Sequence, residues 1–83
     1  MNRFLERYEK YKEKNPRLAR FYLALYYISE GYSIGKATKM ASCGNIFYQY
    51  ARQRRYLKMI REAQEQGFYK NKERGLPCFE IKI

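Results

Sequence analysis

Residues 16–30 constrain this fold more than any other stretch. Leu18, Phe21, Tyr22, Leu25, Tyr26 and Ile28 make the segment apolar on most sides, and a helix that is apolar all round has to be buried. In a chain of 83 residues, which hides only about 60–65% of its unfolded surface, one such helix accounts for much of the core. The remaining elements are expected to wrap around it as a single domain over residues 1–83. Asn15-Pro16 marks its start, because the residue before proline avoids the helical region, proline suits the first helical position, and Asn15 can cap it. Gly31 is a natural left-handed stop. The longest uncharged apolar run, 21–28, has eight residues where about twenty are needed to cross a bilayer.

Around this core helix the pattern predicts further helices. Phe4, Leu5, Tyr8 and Tyr11 recur at helical spacing, with Glu6 and Lys10 as a well-oriented i,i+4 pair, so residues 2–14 read as a helix and 1–31 as an N-terminal helical pair. Ser33 can cap a short helix over 34–41, striped with Ile34, Ala37, Met40 and Ala41. Ser42-Cys43-Gly44 reads as a tight turn. Asn45 can then cap a long helix reaching about residue 66, with Gly67 as its stop. Beyond Gly67, Phe68-Tyr69-Lys70 and the alternation of Phe79, Ile81 and Ile83 with Glu80 and Lys82 read as strands. The intervening Asn, Gly and Pro read as turn chemistry. The expected fold class is mainly α with a C-terminal β-hairpin over 67–83.

Charge is distributed unevenly. Eighteen Lys and Arg against eight Glu give a formal +10. Residues 1–31 hold seven cations and four Glu, and residues 62–83 hold four of each. Residues 32–61 hold seven cations (Lys36, Lys39, Arg52, Arg54, Arg55, Lys58 and Arg61) and no acid. Like charges repel, so solvated surfaces normally mix signs; thirty residues without a carboxylate suit a face that meets phosphates.

The absent residue types exclude much chemistry. With no Asp and no His, neither a Ser-His-Asp nor a Cys-His pair can form, and no metal can be held by histidine. The two Cys, Cys43 and Cys78, cannot complete a structural zinc site. No Gly-rich phosphate loop is present, since Gly31 and Gly35 stand alone. The chain therefore reads as a binding protein and not an enzyme, with no cofactor and no small-molecule substrate implied. The first residues carry a Glu at once and lack an apolar signal core, so an intracellular setting with free thiols is expected. The basic helices lack the cleanly separated faces that lie on membranes.

The stretch from Ile28-Ser29-Glu30-Gly31-Tyr32-Ser33-Ile34 through Ala37 to Ala41-Ser42-Cys43-Gly44-Asn45-Ile46 resembles a winged helix-turn-helix DNA-binding domain. The likeness covers residues 25–83. It rests on a short helix after a "GxS-apolar" start, a small residue (Ala37) in its middle, and a tight turn before a second helix. Helices crossing through such a turn need small side chains where their backbones approach, and Ala37, Ala41, Ser42 and Gly44 supply them. In style the chain is similar to small regulators of archaeal viruses and plasmids. Ser42 stands where the family has its turn glycine, and the second helix is about two turns longer than usual.

The resemblance implies a fold and a division of roles. Residues 33–66 would be the helix-turn-helix, with 45–66 as a long recognition helix in the major groove, and 67–83 would be the wing. Asn45, Tyr48, Gln49, Arg52 and Tyr56 gather on one side of that helix with Gln53 at its margin, and Asn45, Tyr48, Gln49, Arg52 and Gln53 would face bases, since Asn and Gln suit adenine and Arg suits guanine. Ile46, Tyr50, Leu57 and Ile60 would face the core. Lys36, Lys39, Arg54, Arg55, Lys58 and Arg61 would hold phosphates, and Lys70, Lys72 and Arg74 would act from the wing. Five of the ten Tyr, Tyr8, Tyr11, Tyr22, Tyr26 and Tyr50, sit at core spacing; Tyr48 and Tyr56 are retained as contacts. The expected partner is double-stranded DNA, with transcriptional regulation as the role and homodimerisation through Phe4, Leu5, Tyr8 and Tyr11. The alternatives are a sequence-nonspecific nucleic-acid-coating or virion protein, an RNA-binding protein, or a basic module that inhibits a protein partner.

Overall fold

A computed structural model describes residues 2–76. Five helices follow one another: α1 (Arg3–Tyr11), α2 (Pro16–Ser29), α3 (Ile34–Met40), α4 (Asn45–Ala51) and α5 (Arg54–Arg74). There is no strand among the described residues.

The N-terminal helices are set by their caps. The Asn2 side chain accepts from the Phe4 amide at 2.9 Å, and its amide group donates to Ser29 Oγ at 2.9 Å. One residue thus starts α1 and ties it to the end of α2, which fixes the pair as antiparallel. Asn15 Oδ1 accepts from the Leu18 amide at 3.3 Å with Pro16 at the first helical position, as the dipeptide predicts. At the far end of α2 the Gly31 amide donates to the Ile28 carbonyl (3.0 Å) and the Tyr32 amide to the Tyr27 carbonyl (3.2 Å). This is a Schellman closure with Gly31 at φ 109°.

Helix α2 is the centre of the molecule. Phe21, Ala24 and Leu25 are fully buried on it, and Phe4, Ala37, Ala41, Cys43, Phe47, Ile60 and Ala63 pack around them. Each large apolar side chain withdrawn from water in this way contributes about 1.5–3 kcal/mol. The apolar side of α1 is used within the chain. Phe4 is buried, Tyr8 and Tyr11 pack against the core, and the Tyr11 ring stacks on Tyr22 with centroids 5.8 Å apart.

Two expectations are overturned. The helix predicted over 45–66 breaks at Arg52-Gln53, where Gln53 is extended (φ −91°, ψ 131°). The reason lies in the packing of Phe21, whose ring meets Phe47 at 5.5 Å and Tyr56 at 5.3 Å. Nine residues of continuous helix would place those two rings on opposite sides, at about 100° per residue. Only a bend lets both reach one partner. The break also resets the phase of the face predicted to be core: Phe47 is fully buried, Ile46 and Tyr50 only partly, and Tyr56 packs against the core instead of facing outward.

The β-hairpin is the second correction. Phe68, Tyr69, Lys70 and the Asn71–Arg74 turn all lie in α5, which ends at Gly75 with φ 70°; residues 77–83, the other half of the expected wing, lie outside the described residues. Gly67 does not stop the helix, because it sits where α5 crosses the end of α2. A Cβ there would run into the Ile28 carbonyl oxygen and lie 3.1 Å from the Gly31 nitrogen and 3.2 Å from its Cα. One turn on, buried Asn71 donates to the Gly31 carbonyl at 2.8 Å. The glycine serves close approach, and α5 runs on through it.

Candidate nucleic-acid interface

Helices α3 and α4 are joined by a turn whose backbone is held from within. Ser33 Oγ accepts from the Lys36 amide at 3.3 Å and starts α3. At its end the Ser42 amide donates to the Lys39 carbonyl (3.1 Å) and the Cys43 amide to the Thr38 carbonyl (2.9 Å). The bond pattern is that of the Gly31 closure, but the left-handed position holds Ser42, at φ 53°. Cys43 turns into the core, 2% exposed, and burial pushes its thiol up to about 11, so it stays neutral and unreactive near neutrality. Gly44 (φ 49°, ψ −130°) then leads into α4 through a conformation open essentially to glycine alone.

This turn fixes which side of α4 looks outward. Phe47 points into the core, so Asn45, Tyr48 and Gln49 on the opposite side are exposed, with Tyr48 54% accessible. Arg52 and Gln53, also exposed, form the corner between α4 and α5. The five residues expected to face bases therefore share one helix side and its C-terminal corner. The Gln49 side-chain oxygen accepts from Arg17 Nη2 at 3.2 Å, so a cation from the start of α2 stands beside them.

The cations expected to meet phosphates are all exposed: Lys36 and Lys39 on α3, and Arg54, Arg55, Lys58 and Arg61 on the first turns of α5. Lys36 Nζ lies 5.4 Å from the Tyr32 ring centroid and the Arg55 guanidinium 5.2 Å from that of Tyr56. Ion pairs among the described residues join Lys12 to Glu9 (2.7 Å), and Lys70 (2.9 Å) and Arg74 (3.6 Å) to Glu30. Lys36, Lys39, Arg52, Arg54, Arg55 and Lys58 take part in none. Helix α5 also begins with Arg54 and Arg55, no acid in its first turn and no side-chain cap, so its positive dipole end is left uncompensated.

The residues assigned to a wing are placed differently. Lys70 and Arg74 clasp the Glu30 carboxylate, and Arg74 Nη1 donates to the Glu30 carbonyl at 3.4 Å. Both cations close the end of α2 and so serve the fold; Lys72 is exposed in the last turn of α5. Three cations were missed by sequence reasoning: Arg17, and Arg3 and Arg7 of α1, which share a groove with Arg55 and Lys58. No spacing along the chain connects α1 with α5; they meet only in the fold, where both pack on α2 and Arg7 reaches Met59.

No group of three or more Cys or Glu side chains placed to hold a metal occurs among the described residues, and no helix among them is long and apolar enough to cross a membrane. Compared with family models, curated proteins and solved structures, the chain matches none.

Proposed function

We propose that this chain binds duplex DNA as a transcriptional regulator, using α3, the Ser42 turn and α4 as a helix-turn-helix. The single observation that carries the reading is a stretch, residues 32–61, with no carboxylate of its own, whose cations Lys36, Lys39, Arg52, Arg54, Arg55 and Lys58 are exposed and outside every ion pair of the described residues, whereas the segments on either side mix cations with Glu. Such a set is costly to a compact chain unless a polyanion compensates it. The exposed side of α4 offers Asn45, Tyr48, Gln49 and Arg52 to base edges, and the flanking cations offer charge to the backbone. Helix α4 has seven residues, about 10 Å of helix, so one copy would read few bases. Useful specificity then favours a dimer on a two-fold site.

The Arg17–Gln49 bond favours a second reading, because it occupies one of the few side chains suited to base recognition. In that reading the protein coats nucleic acid with little preference for sequence. A mobility-shift titration of random duplex at several salt concentrations, followed by selection and sequencing of the bound pool, separates the two. If about six phosphates are neutralised, log K falls against log salt with a slope of about −5. An enriched two-fold motif supports the regulator, and a flat pool supports coating. Absence of salt-dependent binding refutes both.

A further inference from the structure

Helices α1 and α5 border a groove of about 260 Å³, lined by Arg3, Phe4, Arg7, Arg55, Lys58, Met59 and Glu62. Four of the seven lining residues are cations, and they come from two helices about fifty residues apart in sequence. Arg7 is the telling member. It is half-buried, its guanidinium lies 5.6 Å from the Tyr22 ring centroid, and its Nη1 donates to Met59 Sδ at 3.6 Å. A planar cation is thus held by a ring and a weak sulfur acceptor, with no carboxylate to satisfy its other donors. Glu62 borders the groove but forms no ion pair with any of the four.

Four cations around one concavity, against the single carboxylate of Glu62, leave it net positive and favour the entry of an anion. A held guanidinium flanked by exposed cations is the arrangement that receives a phosphate, with the two-pronged donor giving direction and the others giving charge. We infer that the α1/α5 groove is a backbone-phosphate site of the same nucleic acid, so that Arg3 and Arg7 extend the footprint from the α3–α4 face onto α1. The inference rests on the DNA-binding reading and adds two cations to its interface.

The test compares salt slopes of duplex binding for the full chain and for Arg3→Gln/Arg7→Gln, with Lys14→Gln, an exposed cation outside the groove's lining, as control. Each phosphate contact contributes about 0.9 to the slope, so the double variant is expected to lose about two units while the control keeps the parent slope. A parent chain that binds with salt dependence and a double variant with an unchanged slope overturn the groove site but leave the DNA-binding reading standing. A parent chain that does not bind duplex overturns both. A drop of about one unit in the control, half that of the double variant as its single charge dictates, reports net charge alone and also overturns the site. Should loss of Arg7 from Tyr22 and Met59 unfold the double variant, Arg3→Gln alone decides, since Arg3 is exposed: a drop of about one unit supports the site and no drop refutes it.

Discussion

Replacing Gly67 with alanine sets two effects against each other at one atom. In an exposed helix the exchange stabilises by about 1 kcal/mol, the helix propensity lost to glycine. At Gly67 the new methyl overlaps the Ile28 carbonyl oxygen and presses on the Gly31 backbone at 3.1–3.2 Å. Backbone atoms at the end of a helix cannot swing aside, so α5 must lift from α2. Overpacking of this kind costs about 1–3 kcal/mol. The lift also stretches the bond from buried Asn71 to the Gly31 carbonyl, and leaving such a group unsatisfied costs about 1–3 kcal/mol more. After the propensity gain is subtracted, the central expectation is a loss of about 3 kcal/mol, or a fall in Tm of about 12–24 °C in a domain this size. Gly35 supplies the contrast. It lies in α3, a Cβ there meets nothing within 4 Å, and Gly35→Ala is expected to raise stability by about 0.4–1 kcal/mol. Thermal and urea unfolding followed by far-UV circular dichroism measures both. If Gly67→Ala raised Tm as Gly35→Ala does, α5 would not cross α2 at that residue and the packing argument would be wrong.

Ser42→Gly relieves a non-glycine residue at φ 53° and is expected to add about 0.5–1 kcal/mol, read as a rise in Tm with duplex affinity unchanged. Arg52→Ala is expected to flatten the base preference of a selected pool, whereas Lys39→Ala weakens every sequence alike; equal losses from both would refute the division of roles. Burial raises Cys43 from 9.0 to about 11 and also raises Tyr22 and Tyr50. Groups raised by folding stabilise fully below their unfolded values and lose that contribution as pH climbs, so stability should fall from about pH 9 upward, with about 2–3 kcal/mol from Cys43 once pH passes 11. Cys43→Ala should make the fall of the urea midpoint between pH 9 and 11 shallower, leaving the part due to Tyr22 and Tyr50. In a Cys78→Ser background, Cys43 should react with a thiol reagent only at the rate at which the chain opens.

The parts of this fold legible in the sequence are those decided by neighbouring residues. Asn15-Pro16 and Ser33 start helices, and Gly31 ends one, through bonds spanning a few positions. The break at Arg52-Gln53 carries no proline or glycine; it follows from what Phe47 and Tyr56 both do to Phe21, a contact made across the fold. Gly67 was ambiguous in kind, because glycine ends helices and also lets them touch, and only the neighbouring α2 backbone decides between the two. Phe68-Tyr69-Lys70 was too short to show a period, so its β-favouring composition competed with a helix that packing on α2 extends. In the candidate site, the cations of 36–61 were visible through the missing carboxylates, but Arg3, Arg7 and Arg17 enter it from other helices. Lys70 and Arg74 looked available only because Glu30, forty residues upstream of Lys70, is not a neighbour in sequence.

Helix α4, with seven residues, is about half the length at which an isolated helix becomes even marginal in water. It therefore persists because the Phe47 ring is seated against Phe21, and the display of Asn45, Tyr48 and Gln49 on its far side is a by-product of that seating. Interior and exterior of this segment cannot be altered separately: a change that loosens the ring blurs the outward pattern as well, long before the molecule unfolds.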